Sequence, residues 1–263
     1  MSYTPTTHSA SYEAISATNP SISAAGKVVL ITGAGSGIGN AALFSFATAG
    51  AKALILLGRR VELLEQAVKS TFNQIFSKFG RIDIVIHAAG ALPPLGPLAT
   101  APLHELWKAF EVNIKGFLTL AQAMLAATTS DQKGPSLPVL IVLNTAGSIM
   151  PPLPGMGGYV ASKMSSLKLA EYVASENKDK LRVISVHPGL IQTPMAEELE
   201  KAGLKFPYDD ISLPADFLVW ATSQEAAFLN GRFVFANWDV EELKASAGKI
   251  EGGSDLSLML RGL

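Results

Sequence analysis

Short, unbroken apolar runs alternate along this chain with longer stretches of helical period. Residues 27–32 (K-V-V-L-I-T) are continuous and β-branched, the pattern of a strand buried on both faces. A glycine cluster follows, and 40–50 then reads as a helix closed by Gly50. The alternation continues with a strand over 53–57, a helix over 61–79 interrupted near Ser70 and Thr71, and a strand over 82–87. Beyond a Pro- and Gly-rich loop at 90–102, the pattern predicts a long helix over 103–127, a strand over 139–143, a helix over 158–177 and a strand over 182–186. A helix over 215–229 and a short strand over 232–236, set off by the Asn230-Gly231 turn, complete the series. Strands alternating with helices build parallel βαβ units. The expected fold class is therefore α/β, a single-domain doubly wound parallel sheet of Rossmann-like type. That domain is expected over 27–240, between a Ser-, Thr-, Ala- and Pro-rich N-terminal arm (1–26) and a C-terminal tail (241–263).

Composition narrows the function classes. The 263 residues are 48% hydrophobic and 16% charged, which rules out a disordered chain. Lys+Arg 21 against Asp+Glu 22 gives no bias toward nucleic acid or an acidic membrane. With no Cys, a disulfide scaffold, a thiolate zinc site, an iron–sulfur centre and a cysteine nucleophile are excluded. His8, His87, His104 and His187 show no close ligand pairing, so no metal is expected. No apolar run approaches the ~18 residues of a membrane span. The first Lys is Lys27, so the start lacks the basic stretch of a signal peptide, and the expected location is cytoplasmic.

The first candidate chemistry is the string Thr32-Gly-Ala-Gly-Ser-Gly-Ile-Gly39, between a predicted strand and a predicted helix. Backbone N–H groups and a helix dipole at such a turn suit a pyrophosphate. The glycine spacing is Gly33, Gly37, Gly39, which misses the usual dinucleotide fingerprint at its last position. A second strand should end beside the adenosine ribose, where a carboxylate binds a free 2′-hydroxyl and an Arg suits a 2′-phosphate. This chain reads Leu57-Gly58-Arg59-Arg60 there, which favours NADP(H) over NAD(H).

The second is Tyr159-Val-Ala-Ser-Lys163, which puts a phenol and an ammonium on one helix face at i,i+4. A free phenol, with pKa ~10, is a poor acid–base catalyst at neutral pH. A neighbouring ammonium stabilises its phenolate and makes it a usable proton donor to a carbonyl oxygen.

Taken in order, T-G-x-x-x-G-I-G at 32–39, A-A-G at 88–90, Asn113, Y-x-x-x-K at 159–163 and P-G-x-x-x-T at 188–193 resemble the short-chain dehydrogenase/reductase family. The resemblance covers roughly 27–240, and the flanks at 25–32 and 228–243 are similar to a filamentous-fungal branch whose members often serve secondary metabolism. It implies that Tyr159 is the general acid/base, that Lys163 lowers its pKa and holds the nicotinamide ribose, and that Asn113 supports a proton-relay water. It also assigns Gly33, Ser36, Gly37, Ile38, Gly39, Arg59, Ala88, Gly90, Asn113, Tyr159, Lys163, Pro188, Gly189, Ile191 and Thr193 to the cofactor. A homodimer or homotetramer, paired through the helices at 103–127 and 158–177, is implied as well.

Three departures stand out. The family's catalytic Ser, usually 13 residues before the Tyr, falls on Ala146; Thr145 is the first replacement and Ser148 the second. Only 21 residues separate Arg60 from the strand at Ile82, about half the family's usual length. The third strand, its Asp and part of its flanking helices are thus expected to be deleted, leaving the second strand as an exposed edge. Finally, His87-Ala-Ala-Gly replaces the common Asn-Asn-Ala-Gly, with His87 expected to anchor or pack.

The expected function is an NAD(P)H-dependent oxidoreductase interconverting a secondary alcohol and a ketone. Its small-molecule substrate would be a medium-sized, mostly apolar natural-product intermediate, given a short lid segment at 195–210 and Met150, Leu153 and Met156 nearby. The alternative is a non-redox acid–base enzyme (lyase, isomerase or cyclase) using the same Tyr159 and Lys163; a third is a non-catalytic partner of another enzyme.

Overall fold

The structure, a computed structural model, describes residues 2–57, 64–127 and 136–260. Six strands form one parallel sheet in the order β2-β1-β3-β4-β5-β6: β1 (Val28–Thr32), β2 (Ala53–Leu57), β3 (Ile84–His87), β4 (Val139–Leu143), β5 (Arg182–His187) and β6 (Phe233–Phe235). The helices are α1 (Gly37–Thr48), α2 (Leu64–Phe79), α3 (Leu103–Phe110), α4 (Gly116–Ala127), α5 (Gly157–Glu176), α6 (Pro194–Lys201), α7 (Ser212–Thr222), α8 (Val240–Ala245) and α9 (Ala247–Gly252).

Helices cover both faces of the sheet. On one, Val68, Phe72 and Ile75 of α2, Phe117 and Leu120 of α4, and Ala170 of α5 pack on Leu30, Val85, Leu140 and Val183. On the other, Phe46 of α1 and Phe217 and Trp220 of α7 pack on Ile31, Ile86, Ile141 and Ile184. This two-sided burial is why β1, β3, β4 and β5 carry no polar alternation; every residue in them is buried. Burying each such aliphatic side chain stabilises the fold by ~1.5–3 kcal/mol.

Among the described residues no strand lies between β2 and β3, so the sheet lacks its third strand, as the short spacing requires. β2 is an edge strand, half-buried, with Leu56 53% exposed. Strand order reverses between β1 and β3, and their carboxyl ends frame the crevice where a doubly wound sheet binds ligands.

Several elements differ from the sequence pattern. The first helix begins at Gly37, because Ser36 already takes the extended N-cap conformation. The helix leading into β3 runs without a break at Ser70 and Thr71. The long helix over 103–127 contains a π-helical turn, Glu111–Lys115, between α3 and α4. The helix predicted over 215–229 stops at Thr222, where Ser223 turns extended (ψ 173), and a 3-10 turn, Ala227–Leu229, follows. The segment around 195–210 holds α6, started by Thr193 and Pro194.

Both chain ends join the body. Ile15 and Ile22 from the arm, and Leu243 and Ile250 from α8 and α9, are fully buried or nearly so in the α1/α7 core. The arm is also tied by polar bonds, from Tyr3 to Asp255, Thr6 to Glu242, His8 to Asp239 and Ser11 to Asp216.

Candidate active site

The glycine turn after β1 is shaped by close approach. At Gly33 (φ +69) an added Cβ would lie 2.8 Å from the backbone N of Ala89, and at Gly39 one would lie 2.6 Å from the Gly33 carbonyl oxygen. The loops after β1 and β3 therefore touch backbone to backbone, and the Ala89 N–H donates to Thr32 Oγ1 at 3.1 Å. Gly35 faces open space, and the Ser36 side chain makes no capping bond. No N-cap side chain satisfies the first turn of α1, Gly37, Ile38 and Gly39, a helix start whose free amides would fit an anionic pyrophosphate. An added Cβ at Gly37 (φ +53) would sit 3.0 Å from Thr193 Cγ2, so the loop after β5 closes the other side.

Asn113 lies in the π turn and is buried. Its Oδ1 accepts from the Ala91 N–H, and its Nδ2 donates to the Ala91 carbonyl and to Ser162 Oγ, all at 2.9 Å. It thereby ties the loop after β3 to α5. Gly90 sits between the two: a Cβ there would lie 3.4 Å from Lys163 Nζ and 3.5 Å from Asn113 Oδ1.

On α5, Lys163 is buried and donates to the Leu143 carbonyl at 2.9 Å. Its ammonium stands 6.0 Å from the centroid of the Tyr159 ring. Burial pushes the Lys163 pKa down to about 8 and the Tyr159 phenol up to about 12. At neutral pH the pair therefore rests as ammonium and neutral phenol, a cation beside a proton donor.

The two hydroxyl candidates after β4 differ. Thr145 Oγ1 accepts the Gly147 N–H at 3.3 Å, a bond that leaves its own O–H to donate. Ser148 is buried and donates to Asn144 Oδ1 at 3.1 Å, so its proton is already engaged.

Behind the site, Gly189 (φ +88) has room for no side chain, since a Cβ would lie 2.6 Å from Asp209 Oδ2. That carboxylate accepts the Leu190 N–H at 2.9 Å, and Ile191 forms a bridge to Asp209. Pro188 is buried, and Thr193 caps α6 through the Ala196 N–H. A cavity of ≈ 270 Å³ opens beside Met156, lined by Leu95, Gly96, Pro154, Gly155, Ala202 and Leu204, all without charge. Met150 and Leu153, expected near the substrate, are exposed.

Contacts thus link Gly33 to the backbone of Ala88 and Ala89, Gly37 to Thr193, Gly90 to Lys163 and Asn113, and Lys163 to Tyr159, while Thr145 follows the strand whose Leu143 carbonyl accepts from Lys163. Arg59 and Arg60 lie outside the described residues. Sequence reasoning missed Asn144, whose Nδ2 donates to the Lys163 carbonyl and whose Oδ1 accepts the Thr145 N–H, and it missed Asp209. A polar residue at the end of an apolar strand was the available signal for Asn144; for Asp209 none was local. Among the described residues no three His, Asp or Glu converge as metal ligands, and no helix is long and apolar enough to cross a membrane.

Known proteins resemble this chain throughout. The sequence profile described as short chain dehydrogenase matches residues 27–71, and the one described as Enoyl-(Acyl carrier protein) reductase matches 63–210. A short chain dehydrogenase/reductase of Claviceps purpurea is 32% identical, covering 92% of this chain and 88% of its own length. The short chain dehydrogenase/reductase AacuD of Aspergillus aculeatus is 30% identical over 95% of this chain and 93% of its own. Among solved structures, the oxidoreductase yciK of E. coli superposes with a TM-score of 0.71 at 21% identity, covering 82% of this chain and 97% of that one. A protein of Shigella flexneri 2a, solved as a complex with NADP, gives the same TM-score and identity over 82% of this chain and 99% of its own.

Proposed function

Since the chain belongs to the short-chain dehydrogenase/reductase family and is one of its oxidoreductases, we propose that it interconverts a secondary alcohol and a ketone, with NADP(H) preferred over NAD(H). The observation that carries this reading is the buried Lys163 ammonium beside the Tyr159 phenol, at the crevice where the loops after β1, β3 and β5 meet. A bound nicotinamide supplies or takes the hydride. The residues of the chain do the rest. Tyr159 gives its proton to the carbonyl oxygen as hydride arrives, and takes it back in the reverse direction. Lys163 stabilises the phenolate so formed and holds the nicotinamide ribose, while Asn113 fixes the loop that lies against Lys163. Thr145 donates its free O–H to the same substrate oxygen, the part that Ser plays elsewhere in the family; one such donor is worth ~3 kcal/mol.

The first-turn amides of α1 hold the pyrophosphate, with Gly33, Ser36, Gly37, Ile38 and Gly39 forming the turn. Arg59 meets the 2′-phosphate, and Ala88, Pro188, Gly189, Ile191 and Thr193 flank the rest. The uncharged cavity beside Met156 suits a medium-sized apolar ketone, and the fungal relatives favour a secondary-metabolite intermediate. A homodimer or homotetramer and a cytoplasmic location complete the reading.

The test is a fluorescence titration of the purified protein with NADPH and NADH, followed by a carbonyl screen. Micromolar binding of NADPH with little of NADH supports the reading. No binding of either at ~1 mM turns the assignment to the second reading, a non-redox acid–base enzyme on the same fold. That reading draws on one observation, the sheet that ends at β2 where an adenine pocket needs a further wall.

A further inference from the structure

His87 is the last residue of β3 and is 3% exposed. Side chains alternate along a strand. Val85 belongs to the face covered by α4 and α5, and Ile86 to the opposite one. His87 therefore shares Val85's face, at the carboxyl end of the sheet, under the helices that carry Asn113 and Lys163. One ring nitrogen is engaged: Nδ1 lies 3.1 Å from Thr32 Oγ1. The other, Nε2, is wholly buried and has no hydrogen-bond partner. A buried polar atom left so is destabilising by about 1–3 kcal/mol, and native proteins answer such atoms with an internal water.

The charge it faces is Lys163, whose proximity, after burial itself, holds the imidazole pKa down at about 3. Among the described residues, the other ionisable groups near Lys163 are Tyr159 on its own helix and, beyond Ala146, His187 of β5, whose Nδ1 accepts the Ala146 N–H. The ammonium meets the Leu143 carbonyl of β4, Asn144 bonds the Lys163 backbone carbonyl, and Gly90 lies beside both Lys163 Nζ and Asn113 Oδ1; Leu143, Asn144, Gly90 and Asn113 carry no charge. The Leu143 bond uses one of the three N–H donors of Lys163.

We propose that His87 is a positioning residue for Lys163: its Nε2 accepts a hydrogen bond from an internal water, and that water in turn accepts from the Lys163 ammonium. The inference rests on the reading of Lys163 given above. Polarity fixes the tautomer. A water that accepts from a cation must donate onward, so Nε2 carries no proton and Nδ1–H donates to Thr32 Oγ1. That oxygen then accepts twice, from His87 and from the Ala89 N–H, within the capacity of a hydroxyl. The arrangement solvates the ammonium from inside and keeps Lys163 charged at a pH where burial alone would discharge it.

The test uses the full chain without cofactor or substrate. Lysine labelled with ¹³C at Cε is titrated by NMR, with the Lys163 signal assigned by its loss in Lys163→Met. In His87→Asn, whose amide reproduces Nδ1 but does not reach to Nε2, the Lys163 midpoint should fall by about one pH unit. In His87→Gln, whose amide reaches to Nε2, it should return close to that of the unaltered protein. An unchanged midpoint in both variants overturns the proposal. So does restoration by Asn and not Gln, which would mark His87 as an anchor for Thr32 alone. ¹⁵N-histidine spectra of the unaltered protein supply a check that needs no variant: a protonated Nε2 on His87 refutes the water bridge. Because no turnover is measured, a preserved His87–Lys163 link with no NADPH-dependent reduction would sink the reductase reading and leave this one standing.

Discussion

The two flanks of the sheet are built to different standards. On the β4–β5–α5 side, Asn113, Asn144 and Lys163 are each buried and held by named bonds, and Asp209 clamps the loop behind them. On the β2 side the sheet ends in a half-buried strand that presents Leu56 to solvent. The chemistry of the family needs sub-ångström placement of a proton donor against a carbonyl. The adenine end of a dinucleotide only contributes binding. A chain can therefore lose an outer layer on one flank while the reacting groups on the other stay in place.

The largest expected effect tests the catalytic flank directly. On the proposed mechanism Tyr159→Phe removes the proton donor and should lower kcat by about 10²–10⁴-fold while NADPH affinity stays the same. Equal losses in both would place Tyr159 in binding rather than proton transfer. Next comes a matched pair on stability, read by urea denaturation. Ile141→Ala, in the fully buried strand β4, should cost ~2–5 kcal/mol. Leu56→Ala on the edge strand should stay within ~0.5 kcal/mol. A comparable loss at Leu56 would show that the β2 edge is covered by a further layer or a second chain.

Acid is the gentler probe. Burial holds His87 at about 3 and His187 at about 4, both below the 6.5 of a free imidazole. The unfolded chain thus binds more protons below pH 6.5, and stability falls as pH drops through that window toward the folded values. At pH 5 each imidazole should account for about 2 kcal/mol. They end β3 and β5, on either side of β4, so this part of the sheet should loosen before the β2 edge, which hydrogen exchange at pH 5 can follow. A flat profile from pH 7 to 5 would mean that bulk solvent reaches the two rings in the folded protein.

What the sequence reveals follows the same division. Strands buried on both faces carry an unmistakable apolar run, and the glycine turn and the Tyr159–Lys163 spacing are local signals. The missing third strand was also legible, as an arithmetic of 21 residues. The π turn was not, because a single wide turn leaves the helical period of 103–127 intact while re-aiming Asn113. The contact of Asp209 with Leu190 escapes any local pattern, since it joins positions 19 apart across a segment that holds α6. That Ser148 Oγ donates to Asn144 Oδ1, which bears on the proposal of Thr145 over Ser148, was not legible in the sequence.

The N-terminal arm has a consequence for how the protein is made. Tyr3 bonds to Asp255 and Thr6 to Glu242, partners 252 and 236 positions away. The arm leaves the ribosome well before the segments it bonds to and is among the last to find its place. Ser9 accepts the Asp210 N–H, next to the residue that clamps Leu190, so this belt also braces the loop behind the catalytic pair. A nascent chain can close its sheet strand by strand, yet this brace forms only after the final turns of α8 and α9 have emerged. Competence for turnover should then appear as a late, slow event, behind the gain of secondary structure, as expected for contacts of such long sequence separation.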